Sequence, residues 1–364
     1  MPHPGVCSLV RHARLGKEGS AITFEEIARE LGVSKSTVSR ALSGKGRIGE
    51  ETRVRIRAYA KEKGVWQEEI HRKRRVGTGN LAAVVPADAY TTSFPFFQES
   101  LLGISEAAGM MKYHVMLVTG ASNDISGLTE LVESGKVDGA ILMRSTQGDR
   151  MLQYLSDRNF PTALIGTCEY DNIIQVDTDN RASAESLCSL LIGQGYRRFA
   201  FIMGDMSYRV NGQRLQGCMD ALDRYGVPRE QQLIYRNFIS MELLDSIISE
   251  VIGKKAECII CGDDVICTRL MSRMQAEGYR ISKDISIASL YNSVNLECFS
   301  PAVTAVRVSA RQLGNETAKR LIRRLEEGPL ETGAGRGKTE RENHRIALNY
   351  EILLRKSTGR IYRL

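Results

Sequence analysis

Residues 22–64 read ITFEEIARELGVSKSTVSRALSGKGRIGEETRVRIRAYAKEKG, and this stretch predicts three short helices. Thr23 and Glu26 form a capping box, in which each side chain bonds a backbone N–H that the start of a helix leaves open. Gly32 ends the first helix because the turn needs a residue that tolerates positive φ. Ser34 then caps the second helix, so the sequence predicts two helices joined by a tight turn.

The second helix has an apolar face and a face of hydrogen-bond donors. Val38, Ala41 and Leu42 are its inward residues. Ala28, Gly32 and Val38 have the spacing of a helix-turn-helix. The outward side chains are Lys35, Ser36, Thr37, Ser39 and Arg40. A bare three-helix bundle does not need so many exposed donors, whereas a helix that enters the major groove of DNA does.

The positive charge of the chain is concentrated in its first fifth. The net charge is +7, yet residues 1–75 hold 17 Lys and Arg against 9 Asp and Glu. The other residues are close to neutral, with 33 basic and 34 acidic side chains. This asymmetry indicates a small polyanion-binding head on a neutral body, and a solvated basic surface is the alternative interpretation.

Length and composition limit the class of protein. At 364 residues, with 42% hydrophobic and 26% charged side chains, the chain is expected to form two or three globular domains. No stretch approaches the roughly 18 uninterrupted apolar residues of a membrane helix. Residues 1–20 are polar and basic, without the apolar stretch of a secretory signal. We therefore expect a disordered tail and a cytoplasmic protein with no membrane partner.

Cysteines and histidines show no pattern of a metal or redox site. The eight cysteines are scattered, mostly within apolar runs. Cys258 and Cys261 have CxxC spacing, but they lie in a predicted buried strand, where core packing is favoured. The five histidines lack metal-ligand spacing, and no nucleophile–base pair stands out. We expect no metal, no cofactor and no catalytic residue.

From Leu81 onward, short apolar runs alternate with amphipathic stretches. The predicted strands are 81–85, 114–118, 140–143, 162–165, 199–203, 258–261 and 286–290. The predicted helices between them lie at about 97–111, 149–158, 181–193, 212–225, 241–253 and 264–277. This alternation predicts parallel sheets covered on both faces, and the length suffices for two such lobes. Ligands of such folds bind at the carboxyl ends of strands and between lobes.

The head resembles the DNA-binding head of the lactose-repressor (LacI/GalR) family of bacterial transcription regulators. The similarity is carried by residues 32–40 (GVSKSTVSR), the Ser43-Gly44 turn and Thr52-Arg53. Segments of the body that are typical of the same family are 84–86, 94–97, 137–142, 176–180, 195–202, 304–307 and 355–357. The resemblance implies an N-terminal all-α helix-turn-helix head joined to a two-lobed α/β core with parallel sheets, similar to periplasmic binding proteins.

The same resemblance implies the domain organisation. Residues 21–63 would form the helix-turn-helix DNA-binding domain, and residues 64–79 a basic hinge or linker. Residues 80–364 would form a two-lobed effector-binding and dimerisation domain. One lobe would span about 80–177 plus 305–327, and the other 178–304 plus 345–364.

The resemblance also implies the residues that contact DNA. The positions that match Lys35, Ser36 and Arg40 reach base edges, where Lys and Arg can donate to guanine. The positions that match phosphate contacts are Thr23, Ser34, Thr37, Ser39, Ser43 and Thr52. Arg74 stands where the family inserts a minor-groove wedge. It would enter a narrow, A·T-rich minor groove, or belong to a solvated basic tether.

Effector contacts are implied at the boundary between the lobes. The predicted effector-binding residues are Asp263, Arg214, Arg209, Asn211, Phe94 and Phe96. Asp263 is also placed to cap the helix that begins near Asp264, and surface arginines are usually solvated. Phe94, Phe96 and Phe97 are expected to be a mixture of core and pocket wall. Tyr291 stands at one of the positions where many members have paired acids.

Together these observations predict a sequence-specific DNA-binding transcriptional regulator, a repressor whose operator affinity depends on a sugar-like or other metabolite bound between the lobes. We expect a nucleoid-associated, cytoplasmic bacterial homodimer on an inverted-repeat operator. The alternative is a cytosolic α/β enzyme that acts on a sugar or nucleotide and carries a DNA-binding head. An enzyme would turn its metabolite over, whereas a regulator would change its affinity for DNA.

Overall fold

The structure is a computed structural model that describes residues 24–43, 48–62, 77–87, 94–120, 124–238, 243–327 and 345–359. The chain divides into two compact units, residues 1–76 and residues 77–364, which we call the head and the body. The tail predicted at residues 1–20 and residues 64–76 of the predicted linker lie outside the described residues.

Three helices pack around a small apolar core in the head. They are α1 (Phe24–Glu30), α2 (Lys35–Ser43) and α3 (Glu50–Glu62). The buried core residues are Phe24, Ile27, Ala28, Val38, Ala41, Ile56 and Ala60. Gly32 has a φ of +64°, and this left-handed conformation turns the chain between α1 and α2. The predicted turn and the inward positions of Val38 and Ala41 are confirmed.

Two six-stranded sheets form the frame of the body. The first sheet contains β1 (Asn80–Pro86), β2 (His114–Gly120), β3 (Gly139–Leu142), β4 (Thr162–Ile165), β5 (Ile174–Thr178) and β11 (Arg345–Leu348). The second contains β6 (Phe199–Ile202), β7 (Leu233–Tyr235), β8 (Cys258–Cys261), β9 (Ser286–Ser289), β10 (Thr304–Val308) and β12 (Tyr350–Leu353). Their orders are β11-β5-β4-β3-β1-β2 and β12-β10-β9-β8-β6-β7. Among the described strands, every pairing is parallel except that of β10 with β12.

Helices connect the strands and cover the sheets. They are α4 (Pro95–Met110), α5 (Ser126–Glu133), α6 (Arg150–Asp157), α7 (Asn180–Gly193), α8 (Arg209–Arg224), α9 (Leu244–Gly253), α10 (Asp264–Ala276), α11 (Val294–Glu297) and α12 (Ala310–Glu327). Strands β3, β4, β6, β8 and β9 are buried along their whole length. Burial on both faces explains why β3, β6 and β8 appear in the sequence as continuous apolar runs. Strands β4 and β9 also bury the hydroxyl side chains of Thr162, Ser286 and Ser289.

The chain crosses between the two lobes at different residues from those predicted. Strand β10 pairs with β9 in the second sheet, although residues from 305 onward were expected in the first lobe. Strand β11 pairs with β5 in the first sheet, although residues from 345 onward were expected in the second lobe. Asn349 alone separates β11 from β12, so the chain changes sheets within one residue. Both β11 and β12 are short and only partly buried, so their sequences did not show to which sheet each belongs.

Helix α12 packs in the first lobe, where residues 305–327 were predicted to lie. It packs on α4 so closely that a Cβ at Gly314 would lie 2.0 Å from the carbonyl oxygen of Ser100. A Cβ at Gly103 would lie equally close, 2.0 Å from the carbonyl oxygen of Arg311. These two glycines therefore permit a backbone approach that any side chain would prevent.

The described cysteines are buried, with the exception of Cys298. Cys258 and Cys261 lie in β8 with both side chains in the core of the second lobe. Within the described ranges, no group of three or more His, Cys, Asp or Glu is placed to hold a metal ion. No helix among the described residues is long and apolar enough to cross a membrane.

Candidate functional site

The first candidate site is the outer face of α2 in the head. Ser34 caps this helix, because its Oγ accepts a hydrogen bond from the backbone N–H of Thr37 at 3.1 Å. The same Oγ lies 2.8 Å from both the Ser36 Oγ and the Thr37 Oγ1. Three hydroxyls therefore meet at the N-terminus of a helix, where backbone N–H groups and the dipole favour an anion such as phosphate.

The predicted DNA-contacting residues differ in exposure. Lys35, Ser36 and Arg40 are exposed on α2, and Ser34 is exposed just before it. Thr37, Ser39 and Thr52 are half-buried. Thr23, Arg74 and the side chain of Ser43 lie outside the described residues. The described part of the helix therefore presents two cations and several hydroxyls to its surroundings.

The second candidate site is a cavity of about 120 Å³ in the body. Residues from both lobes line it, and several of them directly follow a strand, as Gly166 follows β4 and Asp263 follows β8 after one residue. All the predicted effector-binding residues line this cavity: Phe94, Phe96, Arg209, Asn211, Arg214 and Asp263. Further polar or aromatic lining residues were not predicted from the sequence as effector contacts: Arg144, Ser145, Thr167, Asp177, Thr178, Asn180, Tyr208, Gln213 and Tyr291.

Arg214 is the buried cation of this cavity. Its side chain comes from α8, and only 8% of the residue is exposed. Its Nη1 donates a hydrogen bond of 2.8 Å to the carbonyl oxygen of Gly262. Burial lowers the pKa of Arg214, and the surrounding carboxylates, led by those of Asp263 and Asp177, oppose that shift. The guanidinium is therefore held in the protein by acidic neighbours rather than by solvent.

Asp263 has a structural role in addition to its place in the cavity. Its Oδ1 accepts a hydrogen bond of 2.8 Å from the backbone N–H of Ile266, so it caps α10. The cap interpretation is confirmed, and it leaves the predicted effector contact open because the same carboxylate lines the cavity. Asp263 lies between the end of β8 and the start of α10, so its carboxylate can both cap the helix and line the cavity.

A second carboxylate, that of Asp177, lies at the end of β5. It accepts hydrogen bonds from the backbone N–H of Thr178 at 2.7 Å and from Asn180 Nδ2 at 3.1 Å. Burial raises the pKa of Asp177 to about 6, although these hydrogen bonds and Arg214 oppose the shift. Asp177 thus supplies an acceptor on the first lobe, opposite Arg214 and Asp263 of the second.

The rim of the cavity joins the two lobes by direct contacts. Arg209 forms an ion pair with Glu169, and its Nε donates to the carbonyl oxygen of Thr146 at 3.3 Å. The Arg144 guanidinium lies 3.6 Å from the centre of the Tyr208 ring. The backbone of Thr146 also forms an isolated antiparallel bridge with that of Tyr208. Arg209 therefore takes part in contacts between the lobes in addition to lining the cavity.

Aromatic side chains form one wall of the cavity. Phe96 packs edge-on against Phe97 and against Tyr291, with ring centres 5.4 and 5.8 Å apart. Phe97 is buried in the core of the first lobe, whereas Phe94 and Phe96 are partly exposed. The predicted mixture of core and pocket wall describes their placement. Tyr291 belongs to the second lobe, so this wall also crosses the lobe boundary.

Asp264 allows a test of the electrostatics around Arg214. The residue is 1% exposed, and burial, together with repulsion from Asp263, raises its pKa to about 6. Since an unfolded Asp titrates near pH 4, the folded state holds the extra proton between about pH 4 and 6. The extra proton stabilises the folded state at low pH, and this stabilisation is lost as the pH rises through about 6.

We therefore expect Asp264→Asn to raise the free energy of unfolding at pH 7, by about 3 kcal/mol at most. Denaturant unfolding between pH 4 and 8 measures the change. The control Asp157→Asn alters an exposed carboxylate and is expected to have no comparable effect. A less stable Asn variant at pH 7 would show that the ionised carboxylate stabilises the fold.

Comparisons with known proteins match both the head and the body of the chain. Residues 23–64 match the family "Bacterial regulatory proteins, lacI family", and residues 189–358 match "Periplasmic binding protein-like domain". The regulator RegA of Clostridium saccharobutylicum is 25% identical over 93% of this chain and 99% of its own length. The repressor CytR of Escherichia coli K12 is 24% identical over 85% of this chain and 92% of its own.

A solved structure of a transcriptional regulator LacI from Bacillus cereus subsp. cytotoxis NVH 391-98 is 30% identical to this chain. The comparison covers 76% of this chain and 98% of that one, with a TM-score of 0.66. The relatives are named as transcriptional regulators or repressors, which corresponds to a regulatory rather than an enzymatic function. The chain belongs to the LacI family of bacterial transcriptional regulators.

Proposed function

We propose that the protein is a homodimeric repressor that binds an inverted-repeat operator on the bacterial nucleoid and responds to a carbohydrate-like effector. The observation that carries this proposal is a cavity between two lobes in which a buried arginine, two carboxylates and an aromatic wall meet. The same chain carries a helix with exposed donors. Effector binding and DNA binding are thus assigned to different units of one protein.

In this proposal, α2 lies in the major groove. Lys35, Ser36 and Arg40 read base edges, since these exposed side chains can donate to guanine or contact other bases. The hydroxyls of Ser34, Thr37, Ser39 and Thr52 lie on phosphates, and the hydroxyl cluster at the helix N-terminus supports that role. The remaining phosphate contacts proposed from the resemblance are Thr23 and Ser43, and Arg74 is proposed for the minor groove.

The chemistry of the cavity favours a neutral polyhydroxylated effector. Asp177 and Asp263 supply acceptors, Arg214 and Asn180 supply donors, and Phe96 supplies an apolar ring. Charges of both signs line the cavity, and Arg209 and Arg214 already have carboxylates beside them, which disfavours a strongly anionic ligand. A carbohydrate combines hydroxyls with an apolar ring face, and a solved relative is a complex of the regulator CelR with cellobiose, at 23% identity and a TM-score of 0.67.

The mechanism in this proposal is a shift between two arrangements of the lobes. An effector that contacts Asp177 on one lobe and Arg214 on the other binds best when the lobes have one particular spacing. The ratio of the effector's affinities for the two arrangements limits how far the effector can change operator affinity. The contacts of Arg209 with Glu169 and of Arg144 with Tyr208 also join the lobes, so they contribute to the balance between the two arrangements.

A homodimer is supported by exposed apolar side chains on the first lobe. Leu117 on the edge strand β2 is 58% exposed, and Met110 on the adjacent helix α4 is 67% exposed. We propose that these two side chains contribute to an apolar contact between protomers, because contiguous apolar patches are typical of interaction surfaces. One solved relative is a lac repressor dimer bound to operator, at 17% identity and a TM-score of 0.64.

We expect Leu117→Asp to weaken the dimer by at least tenfold, because a charge would lie in an apolar interface. Sedimentation equilibrium of the full chain measures the dissociation constant. The control is Val294→Asp, at a residue of the second lobe that is 66% exposed. A Leu117→Asp protein that associates like the wild type would remove this surface from the proposed interface.

Operator binding is expected to fall steeply with salt, since the head carries the excess charge and each neutralised phosphate releases counterions. Between 50 and 200 mM salt, we expect the affinity to fall roughly 100-fold or more. Fluorescence anisotropy of a labelled duplex measures it. The control Lys254→Ala, in the body, should leave the dependence of affinity on salt unchanged. An affinity independent of salt would contradict the proposal that the head binds the DNA backbone.

A further inference from the structure

An ion pair on the outer face of the head joins α1 to the first residue of α2. Lys35 Nζ and a carboxylate oxygen of Glu25 are in direct contact. Both side chains remain exposed, at 62% and 68%. An exposed ion pair contributes little to stability. Glu25 also lies in the first turn of α1, where the helix dipole favours an acid, but that does not require contact with Lys35.

The positions of both partners are fixed by the fold of the head. Glu25 lies on α1 beside the buried Phe24, and Lys35 follows the turn whose geometry is set by Gly32. The backbone N–H of Val33 donates to the carbonyl oxygen of Ala28 at 2.9 Å, which ties the turn to α1. The backbones of both partners therefore belong to the same helix-turn-helix.

The proximity of the two charges determines where Glu25 would lie on DNA. The proposed function places the ammonium of Lys35 at a base edge in the major groove. A carboxylate in contact with that ammonium then lies within a few ångströms of the same base pair. Phosphates repel a carboxylate, so its presence there is unfavourable unless the groove offers it a donor.

A G·C pair offers the matching pattern in the major groove. Guanine presents O6 and N7, two adjacent acceptors that suit an ammonium, and cytosine presents its N4 amino group, which suits a carboxylate. An A·T pair separates its acceptors by the adenine N6 donor and offers the ammonium no adjacent acceptor pair. We infer that Glu25 and Lys35 together read one G·C pair in each half-site, with Glu25 accepting from cytosine N4.

This inference rests on the proposed base-reading role of Lys35, and its test separates the two. Binding sites are selected from random duplex DNA with the full-length wild type, Lys35→Ala and Glu25→Ala. The matched control is Glu30→Ala, which removes an exposed carboxylate from the same helix. Circular dichroism melting verifies that each variant is folded, which is expected because all three side chains are exposed.

We expect Lys35→Ala and Glu25→Ala to lose preference at the same symmetric pair of positions, and Glu30→Ala to retain the wild-type motif. At that pair, Glu25→Ala should lower the discrimination between G·C and A·T roughly tenfold. Its affinity for non-specific DNA should rise, since a charge that repels phosphate is gone. Glu25→Gln should move the preference toward A·T, because Gln pairs with adenine N6 and N7.

Two results would overturn the inference in different ways. If Lys35→Ala loses the G·C preference while Glu25→Ala only tightens binding to every sequence equally, Glu25 is a competitor for Lys35 and not a reader of cytosine. If Lys35→Ala itself retains the complete motif, the base-reading role proposed for Lys35 is wrong, and the paired assignment is wrong with it.

Discussion

Arg214→Met is expected to abolish the response of the protein to its effector and to lower the free energy of unfolding by about 3–5 kcal/mol. The reason is that removal of one partner from a buried set of charges leaves the others uncompensated. Asp263, Asp177 and Asp264 surround the guanidinium and would remain in a poorly solvated cavity. Thermal unfolding gives the stability, and operator binding with and without effector gives the response.

A conservative variant distinguishes loss of the site from loss of the fold. Arg214→Lys keeps the positive charge but cannot present the planar guanidinium that donates to Gly262. We expect it to fold and to bind effector at least tenfold more weakly. The control Arg224→Met removes a mostly exposed arginine of the same helix; it should leave effector affinity unchanged, and loss of its ion pair with Glu185 should lower the free energy of unfolding by about 1 kcal/mol at most. Wild-type effector affinity in Arg214→Lys would remove this residue from the effector contacts.

Arg40→Ala is expected to lose the preference of the protein at one symmetric pair of operator positions. Arg40 is exposed on α2, and its guanidinium can donate to guanine O6 and N7 at once. A bidentate contact of this kind supplies roughly 1–3 kcal/mol of discrimination against the wrong base. Selection of binding sites from random DNA measures the loss, and the wild-type motif is expected to be an inverted repeat.

The matched comparison is Thr52→Val, which changes a proposed phosphate contact on α3. Because phosphates carry no base identity, this variant should weaken binding to all sequences about equally and retain the motif. A complete wild-type motif from Arg40→Ala would mean that this face of α2 does not read bases. A motif altered by Thr52→Val would move Thr52 from the phosphates to the base edges.

The sequence predicted the head more fully than the body. Turn and cap residues such as Gly32 and Ser34 act through their neighbours in the chain, so local sequence specifies them. In the body, fully buried strands such as β8 were recognisable as apolar runs. Strand β7 was not predicted, because its three residues are half-buried and too short for a recognisable pattern.

The lining of the cavity between the lobes was predicted only in part. Asp263 and Arg214 were named because of where they stand in the resemblance, and both line the cavity. Asp177 and Arg144 were missed although each follows or ends a strand, which is the available signal. Their meeting with Arg214 and Asp263 of the second lobe depends on how the two sheets face each other, and no local pattern encodes that arrangement.

The central claim is that a metabolite bound in the body controls the affinity of the head for DNA. A thermal-shift screen of carbohydrates with the full chain identifies a ligand that stabilises the folded state. Anisotropy titrations of the selected operator, with and without that ligand, then test the claim directly. The account predicts at least a tenfold change in operator affinity that Arg214→Lys diminishes, with the ligand recovered unchanged. Equal operator affinity in the presence and absence of a bound ligand, or conversion of the ligand to a product, would contradict it.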